Sequence, residues 1–198
     1  MRVLYHSFLA LILATACNQP ASNELTADTE NGGLTLSEGF SAIIVADELG
    51  PGRHITVREN GDVYVSLRNL QDGKGAVALR DTTGDGKADL IKYFGSVSGT
   101  GIEMHKGFLY SSADSMVVRY PFSNAEDLLP QEDYEIIAGG LVDERQHAAK
   151  PFEFDGEGNM YVTIGAPSNA CMEQMRTKGS PGMDPVSDPR LCRWRLAI

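Results

Sequence analysis

Apolar and polar residues alternate in three segments that align with one another: ITVRENGDVYVSL from Ile55, IEMHKGFLYSSAD from Ile102 and FEFDGEGNMYVTIG from Phe152. In each, a short strand pattern meets a turn rich in Gly, Asn or Asp, and a second strand carrying a tyrosine follows. Val63, Val65 and Leu67 fall on one face of such a strand and Tyr64 and Ser66 on the other, the period-two signature of extended chain. Asn60-Gly61 and the run Gly156 to Asn159 supply residues that tolerate the positive φ of tight hairpins. Further strands are predicted at Ala76 to Arg80, Asp89 to Phe94, Met116 to Tyr120 and Tyr134 to Ala138. No window sustains a 3.6-residue period, and Asn124 to Leu129 has room for one helical turn at most.

The three hairpin tyrosines, Tyr64, Tyr110 and Tyr161, are 46 and 51 residues apart. With the intervening strands, each repeat of about 47 residues has room for about four strands, the arrangement of a β-propeller blade. The competing architecture is a β-sandwich; it is disfavoured because the recurring unit is four strands rather than one. The expected fold is therefore all-β, a partial propeller over residues 37–198 with blades near 37–97, 98–143 and 144–198. Closed propellers take about four to eight blades, so the expectation is an incomplete ring, a truncated or frameshifted piece of a longer design.

Composition narrows the function classes. The 198 residues carry 27 acidic and 17 basic side chains, a net charge of -10, which argues against binding a phosphate backbone through a basic footprint. The 21 glycines fit many tight turns, and a 42% apolar content is enough for a packed core. The N-terminus is an address rather than a structural element. Arg2 precedes an apolar stretch from Phe8 to Leu13, and Ala14-Thr15-Ala16 is a small-residue cleavage pattern, so residues 1–16 read as a signal peptide. Leu13 to Cys17 is similar to a bacterial lipobox, with Ala14 where that box usually has leucine, in which Cys17 becomes the lipidated first residue; the alternative is ordinary signal-peptidase cleavage at Ala14-Thr15-Ala16. Residues 17–36 then form a polar tether, and the protein is expected to be periplasmic and attached to a membrane only through its lipid anchor.

If innermost strands begin near Arg53-His54, Thr100-Gly101 and Gln146-His147, then His54, Thr100 and His147 recur at intervals of 46 and 47 residues. That places His54 and His147 on one rim of the central channel with Arg53 beside them. An imidazole at such a mouth is suited to act as a general base near neutral pH. His147 to Lys150 followed by Phe154 to Gly165, with RHITVRENGDVYVSL, ALRDTTGDGKADLIKYFG, GTGIEMHKGFLYSSAD and GAPSNAC, resembles PQQ-dependent sugar dehydrogenases of the sorbosone, pyranose and soluble glucose types. The likeness runs from about Gly39 to Pro185.

The resemblance implies a six-bladed propeller holding pyrroloquinoline quinone (PQQ) over the channel mouth, with calcium polarising it. It implies that His147 takes the hydroxyl proton of a sugar or sugar-derived alcohol or aldehyde while hydride passes to the quinone. Arg53, His54, Ser168 and Asn169 are then candidates for contacts with substrate or cofactor, and a cytochrome is a candidate electron acceptor. Glucose-type members carry an aspartate where Ala166 stands, so the orienting carboxylate is missing. Most cofactor contacts of the family lie in later blades, and this chain alone is expected to be inactive.

Asp81-Thr-Thr-Gly-Asp85-Gly86-Lys-Ala-Asp89 resembles a calcium loop, which makes Asp81, Asp85 and Asp89 weak cation ligands; the alternative is a polar hairpin turn. Cys171 and Cys192 are candidates to pair in an oxidising compartment, although relatives carry a cysteine near Val186 instead. Two rival functions stand beside the enzyme: a non-catalytic periplasmic binding or scaffold propeller, and a calcium-dependent adhesion module resting on the Asp81 loop.

Overall fold

The computed structural model describes residues 25–141, 143, 148–164 and 195–197. The alternating segments become short antiparallel strands, and the described residues contain no α-helix. The first sheet is a meander of β1 (Gly52–Val57), β2 (Val63–Gln71), β3 (Lys74–Arg80) and β4 (Leu90–Phe94). The second repeats it with β5 (Ile102–His105), β6 (Phe108–Ser112), β7 (Val117–Pro121) and β8 (Glu135–Ala138). In the third, β9 (Phe152–Phe154) pairs with β10 (Met160–Ile164), which pairs in turn with β11 (Arg195–Ala197). The four intervening strands predicted from the sequence are all present, shifted by one or two residues at their ends.

The packing distinguishes blades from a sandwich. Cross-strand partners share a face of their sheet, so the ladder register assigns each side chain to one side. Tyr64, Ala76, Ala78 and Phe94 form one face of the first sheet, which we call its back. They pack on Ile102, Leu109, Val118 and Tyr120, the front face of the second sheet, in one buried cluster. The second sheet repeats the move: Tyr110 and Val117 on its back meet Phe152 and Val162 on the front of the third. Consecutive sheets therefore stack front to back and the core lies between them, the arrangement of propeller blades. Aromatic edges lock the first interface, with Tyr64 6.1 Å from Phe94 and Phe94 6.4 Å from Tyr120, both T-shaped.

Polar contacts fix the outer ends of the first two blades. Asp62, fully buried, accepts both Nε and Nη2 of Arg80 at 2.6 Å. Arg80 also donates to the Glu126 carbonyl, Arg58 to that of Asp127, and the Tyr64 hydroxyl to that of Leu128. Asn124 to Leu129, which has room for one helical turn at most, is a non-helical loop whose carbonyls are taken by these side chains. Close approach explains two glycines: a Cβ on Gly99 would overlap the Ser112 carbonyl, and one on Gly75 that of Val97.

The tether expected to extend to residue 36 ends earlier. Asp28 accepts the Ile44 N–H at 2.6 Å and pairs with Lys87, while Asn31 accepts the Ala42 N–H. These side-chain acceptors hold the segment against the first blade, and Ala46 and Leu49 then pack on its front face over Val65, Leu67, Val77 and Leu79.

Candidate functional site

The innermost strands β1, β5 and β9 start at a common end of their blades. The ladder pairs His54 with Ser66, two residues beyond the hairpin tyrosine. The equivalent position of the second blade is Ser112, whose N–H bonds to Gly101; that of the third is Thr163, whose N–H bonds to Pro151. His54, Gly101 and Pro151 are thus the in-register set, rather than His54, Thr100 and His147. The hairpin turns differ in length, since residues 58–62 separate β1 from β2 and only residues 106–107 separate β5 from β6. That difference moves the register of the second blade by one residue, from Thr100 to Gly101; the larger displacement in the third blade comes from the connection between blades, since Tyr110 and Tyr161 are 51 residues apart where Tyr64 and Tyr110 are 46. His147 precedes Pro151 by four positions and lies outside the described residues, as do Ser168, Asn169, Cys17, Cys171 and Cys192.

A repeating clasp builds this rim. The Ser66 hydroxyl donates to the Thr100 carbonyl at 3.0 Å, and the Ser112 hydroxyl donates to the Lys150 carbonyl at 2.6 Å. Thr100 and Lys150 therefore occupy equivalent places, one step before the innermost strand proper. In the first blade that place is Arg53, which sits at an irregularity in the β1–β2 ladder and points into solvent with His54. The structure so brings Arg53, His54 and Lys150 to the same rim.

Lys150 is not among the site candidates that the sequence offers. It is 1% exposed and, with Asp62, is one of two buried charged residues among those described. Its Nζ donates to the Ala148 carbonyl. Burial pushes its pKa down, while Asp114 and Asp143 act in the opposite direction. The signal that could have found it is the Tyr-x-Ser/Thr pattern shared by the three hairpins, which fixes the register and hence the rim.

Deeper along the axis, Glu103 and Glu153 occupy the position held by Thr56 in the first blade, each facing its hairpin tyrosine. Thr56 Oγ1 accepts the Met104 N–H, and Glu103 accepts the equivalent N–H of Phe154. Glu103 Oε2 has no hydrogen-bond partner. Burial and the neighbouring Glu153 carboxylate push its pKa up to about 7. At the hairpin end of the blades, His105 stacks on Phe154 with centroids 3.9 Å apart. A cleft of about 410 Å³ opens there between Val57 to Asn60, Met104 to Gly107 and Ala125-Glu126.

The acidic loop is organised by its own backbone. Asp81 accepts the N–H groups of Thr83, Gly84 and Gly86, Asp89 those of Thr82 and Thr83, and Asp85 that of Lys87. The Thr82 hydroxyl donating to Asp89, together with these backbone bonds, holds the Asp81 and Asp89 carboxyls below the usual range. Among the described residues no three His, Cys, Asp or Glu side chains converge to hold a metal ion. The carboxylates read as cation ligands serve here as acceptors in a hairpin turn.

No protein-family model matches the chain, and no curated protein matches it. Solved structures do. The PQQ domain of pyranose dehydrogenase from Coprinopsis cinerea, in its holo form, superposes with a TM-score of 0.53 at 15% identity, over 63% of this chain and 30% of that one. An iodide structure of a Trichoderma reesei member of Carbohydrate-Active Enzymes Family AA12 gives a TM-score of 0.58 at 16% identity, over 74% of this chain and 37% of that one. A calcium structure from the same source gives 0.53 over 63% and 32%. The chain thus spans about a third of the length of the structures it matches. At these identities the likeness establishes the fold: the stacked sheets are blades of an all-β propeller, not closed into a ring among the described residues, and its structural neighbours include the PQQ domain of a pyranose dehydrogenase, the kind of protein the sequence resembles.

Proposed function

We propose that this chain forms the first blades of an exported quinoprotein of the sugar dehydrogenase kind, and that the Arg53, His54 and Lys150 rim is the part of its cofactor-facing mouth described here. The observation that carries the reading is the convergence, by repeat register, of two cations and an imidazole at the entry ends of the innermost strands. A tricarboxylate quinone needs cationic donors, and this rim offers the Arg53 guanidinium to solvent and the Lys150 ammonium from within the wall. When bound, the quinone supplies a two-electron acceptor for hydride.

The chain's own residues would do the rest. Arg53 meets an anionic group from the open side. Lys150, holding the Ala148 carbonyl and clasped by Ser112, fixes the segment 148–150 that follows His147 in the chain. His147 is the proposed base for the hydroxyl proton of a sugar or sugar-derived alcohol or aldehyde, and Ser168 and Asn169 are proposed rim contacts. No cluster among the described residues fits calcium. Export through residues 1–16, lipidation at Cys17 and a periplasmic location belong to the same proposal, as does delivery of electrons to a cytochrome-like acceptor.

The test is titration of the purified chain with PQQ, followed by dye reduction with a panel of aldoses and sugar-derived aldehydes. Weak quinone binding that falls further in Arg53→Ala, with no turnover by this chain alone, is the expected result. Robust PQQ-dependent turnover would overturn the expected inactivity. Quinone binding unaffected by Arg53→Ala and Lys150→Met would remove the rim from the cofactor site and favour the scaffold reading.

A further inference from the structure

Residues 28–44, ahead of the first blade, fold back on themselves as a finger. The Asp28 N–H donates to the Ala42 carbonyl at 3.0 Å, the Ala42 N–H to Asn31 Oδ1 at 3.0 Å and the Ile44 N–H to Asp28 Oδ2 at 2.6 Å. The base of the finger is fixed to the blade, because Lys87 pairs with Asp28 at 2.6 Å and the Ala88 N–H donates to the Val45 carbonyl. Lys87 and Ala88 belong to the β3–β4 connection. The ladder opposes Val63 to both Val57 and Leu79, which sets that connection beside the β1–β2 turn. The finger is therefore anchored at the end of the blade away from Arg53 and His54.

Its tip leaves apolar side chains in water. Residues 32–41 are all exposed. Phe40 is 74% exposed, more than any other large apolar residue among those described, and Leu34 and Leu36 are 60% and 36% exposed. Two turns bend the tip, closed by the Leu34 N–H on the Asn31 carbonyl and the Phe40 N–H on the Ser37 carbonyl. Three large apolar side chains thus stand within seven residues of a loop whose base is held by an ion pair and backbone bonds. Glu38 is the only charged residue from 32 to 41, and no Lys or Arg occurs between Cys17 and Gly52. Apolar residues scattered singly over a surface are ordinary, but a run of them on an anchored loop marks a contact.

We propose that this tip is a second membrane contact, in which Leu34, Leu36 and Phe40 enter the interfacial layer of a zwitterionic bilayer. Specific protein interfaces bury about 800 Å² per partner, more than a tip of ten residues supplies, whereas a bilayer takes up a small apolar tip without a matching surface. The absence of basic residues excludes attraction to anionic headgroups, so the contact is apolar. Eleven residues separate Cys17 from Asp28, which even fully extended is about 40 Å. A lipid chain on Cys17 therefore holds the finger near the surface it enters, and a weak insertion becomes effective through that proximity. With the finger at the hairpin-turn end, the bilayer lies on the opposite side from the Arg53 and His54 rim, which stays open to solvent. The inference rests on the export and lipid-anchoring part of the reading above and is independent of the quinone chemistry.

Phe40→Trp turns the tip into its own reporter, with the wild-type chain, whose single tryptophan is Trp194, as the background. Mixed with phosphatidylcholine vesicles carrying brominated acyl chains, the Phe40→Trp chain should show a blue shift and quenching beyond that of wild type. Adding Leu34→Asp should weaken this vesicle binding about tenfold or more, because a charge replaces a side chain that enters the apolar layer. Both positions are exposed, so the variants should keep their circular dichroism. Phosphatidylglycerol vesicles should bind no more tightly than phosphatidylcholine. Cys17→Ser removes the site of acylation, which mass spectrometry of the exported chain reads separately; quenching at raised vesicle concentration should survive it. Loss of the anchor and loss of the insertion are thus distinct results. No quenching beyond wild type, or quenching indifferent to Leu34→Asp, would overturn the proposal. So would a blue shift already present without lipid, which would give the tip to a second copy or another protein.

Discussion

Glu103 offers the sharpest test of how these blades are held together. Its carboxyl lies between the second and third blades beside Glu153, with Tyr110 directly across the ladder and Arg119 across from Tyr110 on the far side. A rise from an ordinary 4.5 to about 7 means that the folded state prefers the protonated acid. At about 1.4 kcal/mol per tenfold, the full shift would correspond to about 3 kcal/mol. Because the side chain is only partly buried, solvent screening reduces this to about 1–2 kcal/mol. The sign follows from the raised value: the stabilisation is fully present below the unfolded acid's range and is lost as pH climbs through about 7. Glu103→Gln keeps the shape and removes the charge. It should therefore raise stability at pH 8, by about 3–6 °C in melting temperature for a domain of this size, and change little at pH 5. Glu153→Gln should give a smaller gain at pH 8 by removing the neighbouring charge. The assay is thermal melting of wild type and both variants at half-unit steps from pH 5 to 8. A wild-type melting temperature that does not fall over this range, or a Glu103→Gln curve that falls just as steeply, would refute the reasoning.

Two further substitutions probe the blade scaffold. Asp62→Asn breaks a buried bidentate pair and leaves the Arg80 guanidinium, which is 25% exposed, without its charge partner. The expected loss is about 2–3 kcal/mol in urea denaturation at pH 7. Although burial opposes ionisation, Arg80 holds the Asp62 carboxyl below its usual value, so this contribution exists at neutral pH and disappears as pH falls through that depressed value. Stability of the variant should accordingly fall less in acid than that of wild type. Gly99→Ala forces a methyl against the Ser112 carbonyl where the chain crosses between blades, and should cost about 2 kcal/mol or more in the same assay. A neutral effect at this position would mean that the crossover has room that the structure does not show.

Local chemistry made the strands legible. Alternation in VYVSL, the Asn60-Gly61 turn and the recurring tyrosine each act over a few residues, because strand faces and hairpin turns are decided by side-chain period and backbone sterics. The repeat then implied blades, and the ladders bear this out. What the pattern misjudged was register. The spacing of His54, Thr100 and His147 treats the repeats as equal in length, whereas a shorter second hairpin and a longer connection into the third blade align His54 with Gly101 and Pro151. The burial of Lys150 and the encounter of Glu103 with Glu153 were equally invisible along the chain. Both depend on which strand of one blade lies against which strand of the next, a decision made by packing over some fifty residues of separation. Sequence alone determined the repeating unit, its turns and its hydroxyl-bearing second strand. Tertiary structure decided which side chains share a rim, which charges leave water and which faces stay open, because only the stacking of whole sheets sets those distances and exclusions.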